Sequence, residues 1–181
     1  MKKTICVFCS SSDLIEELYF QTAQELGTLI GQNNYDLIHG GGMIGLMNIL
    51  ADAVQDNGGK VTGVVPERLN LKGIVSETDD EMIVTKDMSQ RKTVMRDRSD
   101  AFIALPGGFG TLEEIMEIMT LKQLNYHEKP VIIINTNGFY NDLLSQFDKM
   151  FDEQFIKPDL KNLYYIAENP EDAMKHLMNN E

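Results

Sequence analysis

Two segments of the chain, DAFIAL at 100–105 and VIIIN at 131–135, are apolar at nearly every position. A strand of that kind has no face to give to water, so it suits a parallel sheet covered by helices on both sides. Five further β-rich runs lie at 4–9, 35–39, 60–65, 81–85 and 163–167, separated by stretches of helical, 3.6-residue periodicity. Alternation of this kind predicts an α/β fold, a Rossmann-like open parallel sheet with helices on both faces. A length of 181 residues suits one domain of this class, so 1–181 is read as a single domain.

Charge narrows the ligands. Asp and Glu number 28 against 16 Lys and Arg, a formal charge of −12, which argues against sequence-independent binding to nucleic acid or to an anionic membrane. An anionic ligand therefore needs a local positive site. No apolar run approaches the roughly 20 residues of a membrane-spanning helix. The apolar stretch after Lys2 and Lys3 is too short for a secretory signal, so a cytoplasmic setting is expected. Cys6 and Cys9 form a C-x-x-C pair within a strand-like run, where residues three apart face opposite sides, and are read as buried, reduced thiols. His39, His127 and His176 are too dispersed to complete a zinc site with them.

Local signals place several helix ends. Asp13 is expected to cap a helix carrying Glu16 and Glu17 in its first turn, Gly58 and Gly59 to close the second helix, and Asn169-Pro170 to open the last. Residues 66–80 form the longest irregular stretch and are expected at the ligand-bearing end of the sheet.

Two glycine-rich turns follow strands. After the second strand, Gly40, Gly42 and Gly45 satisfy G-x-G-x-x-G within HGGGMIGLMN, and Glu67 lies near the spacing of a ribose-binding acid. A dinucleotide site would normally follow the first strand, and a second glycine turn, LPGGFGTLEE at 105–114, competes with it. There Pro106 stops the strand, Gly107, Gly108 and Gly110 leave backbone N–H groups unobstructed, and Thr111 is expected to begin a helix whose positive end faces the loop. Both turns could converge on one phosphate-bearing ligand at the carboxyl ends of the strands. No G-x-x-x-x-G-K-[ST] occurs, which disfavours triphosphate hydrolysis.

Two readings of Glu114 stay open. Thr111 and Glu114 form T-x-x-E, a capping box in which the carboxylate serves only the helix. Alternatively, three residues of helix rise, about 4.5 Å, carry Glu113 or Glu114 from a bound phosphate to the anomeric carbon of its sugar. The segment 87–100 supplies cations near the strand feeding this turn: Arg91, Lys92, Arg96 and Arg98. Arg91 is the first choice for the site, since a guanidinium can engage phosphate or carboxylate in bidentate fashion.

The chain resembles the LOG (LONELY GUY) family of cytokinin-activating phosphoribohydrolases, some bacterial members of which were long labelled lysine decarboxylases. CVFCSSS, IHGGGMIGLMN, GGKVTGVVP, DMSQRKTVMRDRSDAFIALPGGFGTLEE, KPVIIINTNGFYNDLL and FIKP carry the resemblance over nearly the whole chain. It implies hydrolysis of the N-glycosidic bond of a nucleoside 5′-monophosphate, AMP or an N6-modified AMP, to free base and ribose 5-phosphate, with no cofactor and no metal. By position, Arg91 and Glu114 match the catalytic pair. Ser10, Gly41, Gly42, Gly45, Lys92, Gly107, Gly108, Phe109, Gly110, Thr111, Leu112 and Glu113 match substrate-contact positions. Family members are dimers or larger, and the apolar helix carrying Ile115, Met116, Ile118, Met119, Leu121 and Leu124 points the same way, towards a homodimer or larger assembly. The chain departs from the family pattern at Ser89, which replaces a histidine, at Ser10, which replaces a glycine, and at Gly73, where many members carry a glutamate. The competing class is a nucleotide-binding or sensing module without turnover. A nicotinamide oxidoreductase finds no substrate domain in 181 residues.

Overall fold

The computed structural model describes residues 2–180. All seven expected strands form, with ends that move by no more than two residues: β1 (Thr4–Phe8), β2 (Asp36–His39), β3 (Val61–Pro66), β4 (Glu81–Thr85), β5 (Ala101–Ala104), β6 (Val131–Ile134) and β7 (Tyr165–Ala167). They build one sheet in the order β4-β3-β2-β1-β5-β6-β7, parallel at every pairing. The chain steps outward from β1 through β4 and then returns to lay β5 on the other side of β1. That reversal is a topological switch point, and it opens a crevice at the carboxyl ends of β1 and β5.

The uninterrupted apolar runs are explained by two cores. Ile5, Val7, Ile103, Ile132 and Ile134 face one side, packed on α1 (Glu17–Gln32), α2 (Leu46–Asp56) and α6 (Pro170–Asn179). Their neighbours Cys6, Phe8, Phe102, Ala104 and Ile133 face the other, against α3 (Met88–Asp97), α4 (Phe109–Gln123) and α5 (Asn141–Asp152). The period-2 alternation of a strand thus feeds both layers. Cys6 lies in the second core and Cys9 packs on the first, and both are free thiols.

Helix ends divide into local and non-local cases. Asn169 caps α6 by accepting the Asp172 N–H at 2.9 Å, and Gly58, with φ +85°, follows the end of α2 as expected. Asp13 departs from expectation. Its carboxylate accepts the Gly45 N–H at 2.8 Å, a partner 32 residues away, while α1 starts at Glu17 after an extended Glu16 with no side-chain cap. The start of α4 also differs. The Leu112 N–H bonds to the Gly108 carbonyl at 3.1 Å, so the helix begins at Phe109 with Gly108 in the cap position. Thr111 is therefore the third helical residue, and the T-x-x-E capping box does not form.

Candidate functional site

A cavity of about 590 Å³ opens at the switch point. Its wall is drawn from β1 and β3, from the turns after β1, β2 and β5, from the loop after β3, and from α2, α3 and α4. Ser10, Gly41, Gly42, Arg91, Gly108, Phe109, Gly110, Thr111 and Glu114 all line it. Gly45, Lys92, Gly107, Leu112 and Glu113 stand outside the wall. Gly45, with φ +65°, packs on the Ser10–Ser11 backbone so closely that a Cβ would fall 2.6 Å from a carbonyl carbon. Gly107 adjoins a smaller cavity of about 220 Å³, which shares Ser10 and Gly108 with the larger one.

Arg91 and Glu114 meet across the space between α3 and α4. The Arg91 Nη1 donates to the Glu114 carboxylate, and both side chains are about nine-tenths buried, at 10% and 11% exposure. The Arg91 Nε donates to the Val64 carbonyl at the end of β3, at 2.9 Å. Nη2 lies against Gly40, where any Cβ would collide with it. Nε and Nη1 are thus committed to protein groups, which makes Arg91 a brace for Glu114. Burial holds the Glu114 carboxyl above the ordinary glutamate range. The charge and hydrogen bond of Arg91 oppose that rise, and Glu113 adds to it.

The mouth of α4 supplies the other half. Because the first intrahelical bond starts at Leu112, the N–H groups of Phe109, Gly110 and Thr111 have no helical acceptor. Nothing lies within 4 Å of the Cβ positions of Gly108 and Gly110, so an anion can approach the backbone there. The helix dipole favours negative charge at this point.

The other cations of 87–100 serve elsewhere. Lys92 pairs with Glu113 and Glu117 of α4. Partial burial works against its charge, but those two carboxylates outweigh it and hold its pKa up. Arg98 pairs with Glu81 at 2.7 Å, and Arg96 with Asp97 at 3.0 Å. The four-residue anion clamp expected from sequence therefore reduces to Arg91. Glu67 is exposed on the 3-10 turn after β3 and is absent from the wall, which removes the ribose-acid match.

Sequence reasoning missed the apolar half of the wall. Met47, Leu69, Ile74, Val75 and Met88 line it, yet in the sequence they are indistinguishable from core residues. Only the placement of 66–80 at this end of the sheet hinted at them. That loop is pinned down by the Ser76 N–H to the Gly41 carbonyl at 2.9 Å, and by Asp79, which joins His39 Nε2 at 2.8 Å to the Ser76 hydroxyl at 2.7 Å. Gly73 is exposed with open space around it and φ +82°.

Residues 47–177 match the family model described as "Possible lysine decarboxylase". Two cytokinin riboside 5′-monophosphate phosphoribohydrolases of Arabidopsis thaliana, LOG1 and LOG4, are 46% and 44% identical to the chain. The matches cover 97% and 96% of this chain and 82% and 80% of those proteins. The chain belongs to the LOG family. Among solved structures, the molybdenum cofactor binding protein of Rippkaea orientalis superposes with a TM-score of 0.75 at 26% identity, covering 99% of this chain and 98% of that one. The decarboxylase description does not fit the cavity of this LOG-family chain. Among the described residues no lysine lines it, so none of them could hold a pyridoxal group there as a Schiff base.

Proposed function

We propose that the protein hydrolyses the N-glycosidic bond of a nucleoside 5′-monophosphate, releasing the free base and ribose 5-phosphate. The observation that carries this reading is Glu114, a buried carboxylate braced by Arg91 one turn inside the helix whose free N–H groups face the same cavity. Phosphate takes the N–H groups of Phe109, Gly110 and Thr111. The anomeric carbon then lies roughly 4.5 Å further along the α4 axis, beside Glu114. As the C–N bond breaks, its electron pair leaves with the base and positive charge develops on the ribosyl carbon. Glu114 stabilises that charge and accepts a proton from the attacking water, and the departing base takes up a proton. Arg91 holds the carboxylate in register and favours its ionised form. No step calls on a metal or a cofactor.

The apolar wall of Met47, Leu69, Ile74, Val75 and Met88 suits a base with hydrophobic substituents, and the Arabidopsis relatives are named for cytokinin riboside monophosphates. N6-modified AMP is accordingly the preferred candidate, with AMP next. The protein is read as a single nucleotide-binding domain over 1–181, working as a homodimer or larger in the cytoplasm. The continuous seven-stranded sheet supports the first of these. Among the described residues no helix is long and apolar enough to cross a membrane.

Base release should be measured with AMP, CMP, GMP, IMP, N6-modified AMP and adenosine. The expected order places the N6-modified monophosphate first and adenosine last. Equal activity on adenosine and AMP would refute the phosphate anchor. Binding of AMP without turnover of any monophosphate would favour a nucleotide-binding or sensing module.

A further inference from the structure

Tyr140 stands outside the cavity wall, between β6 and α5, and is only 3% exposed. Its hydroxyl donates to the main-chain carbonyl of Leu105 at 2.8 Å. Leu105 is the first residue beyond β5 and is fully buried. The strand ladder closes there: Ala104 makes the last register pairs, with Phe8 on one side and Ile133 on the other, and the Leu105 N–H still bonds to the Phe8 carbonyl at 3.0 Å. The Tyr140 bond therefore fastens the start of the segment that leads through Pro106 into α4.

Tyr140 is itself fixed. Asn137 and Gly138 adopt left-handed backbone, φ 53° and 70°, and reverse the chain after β6. The Tyr140 N–H then bonds to Asn135 Oδ1 at 2.7 Å, and the Asn135 amide donates to Asn141 Oδ1 at 2.8 Å. The Phe139 ring meets the Tyr140 ring edge-on, with centroids 4.9 Å apart. Burial pushes the phenol well above its ordinary pKa, the Gly107 N–H opposing, so the O–H remains a donor throughout the working pH range.

We infer that Tyr140 is a positioning residue for the phosphate end of the site, aiming the Phe109–Thr111 N–H groups by fixing the Leu105 carbonyl at the head of the turn that carries them. The inference rests on the phosphate-binding part of the proposed function. Hydrogen-bond donors act on an anion only within a narrow range of direction, so a turn released from its brace loses affinity before it loses fold.

Tyr140→Phe keeps the ring in the core and removes the oxygen, leaving the buried Leu105 carbonyl without its phenolic partner. The expected result is a rise of about tenfold in KM for AMP and in Kd for inorganic phosphate, with kcat at saturation changed by less than about threefold. Phe147→Leu, in α5 and the same core, serves as control: thermal stability falls while KM and Kd hold. Asn135→Ala, which frees the Tyr140 N–H but keeps ring and hydroxyl, should move Kd the same way and provides the test if Tyr140→Phe fails to fold. Unchanged KM and Kd in a folded Tyr140→Phe would overturn the inference whatever its melting temperature. A wild type that binds phosphate without releasing any base would overturn the hydrolase reading and leave Tyr140 judged on Kd. A wild type that binds no phosphate would overturn both.

Discussion

Glu114 carries competing demands that its environment settles. Burial favours the protonated acid, Arg91 favours the carboxylate, and burial is the larger influence. A glutamate whose folded pKa lies above its unfolded value weakens the fold as pH rises through the interval between the two, because the folded state retains the proton longer. Glu114→Gln removes that cost and keeps an oxygen for Arg91 Nη1, so thermal unfolding at neutral pH should show a variant at least as stable as the wild type. Turnover should fall by about 10²-fold or more, the scale of lost acid–base help. In the wild type, the acidic limb of kcat should lie above the ordinary 4.5 of a glutamate, since the carboxylate must be ionised to act. A pH–rate profile reads this directly, and an active, well-folded Glu114→Gln would move the chemistry to Glu113. Arg91→Lys tests the brace. A lysine cannot bond Val64 and Glu114 together as the guanidinium does, so kcat should drop about tenfold or more while the fold persists. Full activity in Arg91→Lys would leave only the positive charge as its contribution.

At the level of elements, the glycine turn after β2 shapes the site by making room. A Cβ at Gly40 would overlap Arg91 Nη2 and approach Met47 Sδ to 3.2 Å. Arg91 has nowhere to retreat, being held at Nε by Val64. Gly40→Ala should therefore displace the Arg91–Glu114 pair and cost about 10²-fold in turnover, as a misplacement of roughly 1 Å can. Circular dichroism and melting should show the fold retained, and normal turnover in that variant would mean the guanidinium's place is immaterial. The same turns show what could be read in advance. The strands were legible because two-sided burial leaves apolar runs such as 131–134, and the Arg91–Glu114 pairing because the two motifs carry the resemblance. The start of α4 was not, because glycine at 108 lets the chain enter the helix without a side-chain cap. Asp13 was misread because its partner, Gly45, lies 32 residues away at the start of α2 and leaves no local trace. The apolar wall escaped for another reason: a methionine facing a cavity and a methionine facing a core follow the same pattern.

For the whole molecule, the open question of chemistry on the surface is what covers the apolar residues on the α3 and α4 side. Of the six apolar residues between positions 115 and 124, Ile115, Ile118 and Met119 are buried within the chain, Met116 and Leu121 are half-buried, and Leu124 is 58% exposed. Met88 on α3, Val84 on the edge strand β4, Tyr126 and Phe109 are exposed as well. Unpaired edges and exposed apolar residues are commonly covered by a second copy. Light scattering at micromolar concentration is expected to give at least twice the 20.5 kDa of one chain, and Leu124→Glu should shift the balance towards monomer without loss of helix content. Each chain carries a net charge of −12, so two copies repel and the apolar contact must overcome that repulsion. Salt screens it, with a Debye length near 10 Å at 0.1 M and about 3 Å at 1 M. Association should therefore strengthen as salt rises, opposite to an assembly held by ion pairs. A mass of one chain at both low and high salt would end the case for a homodimer.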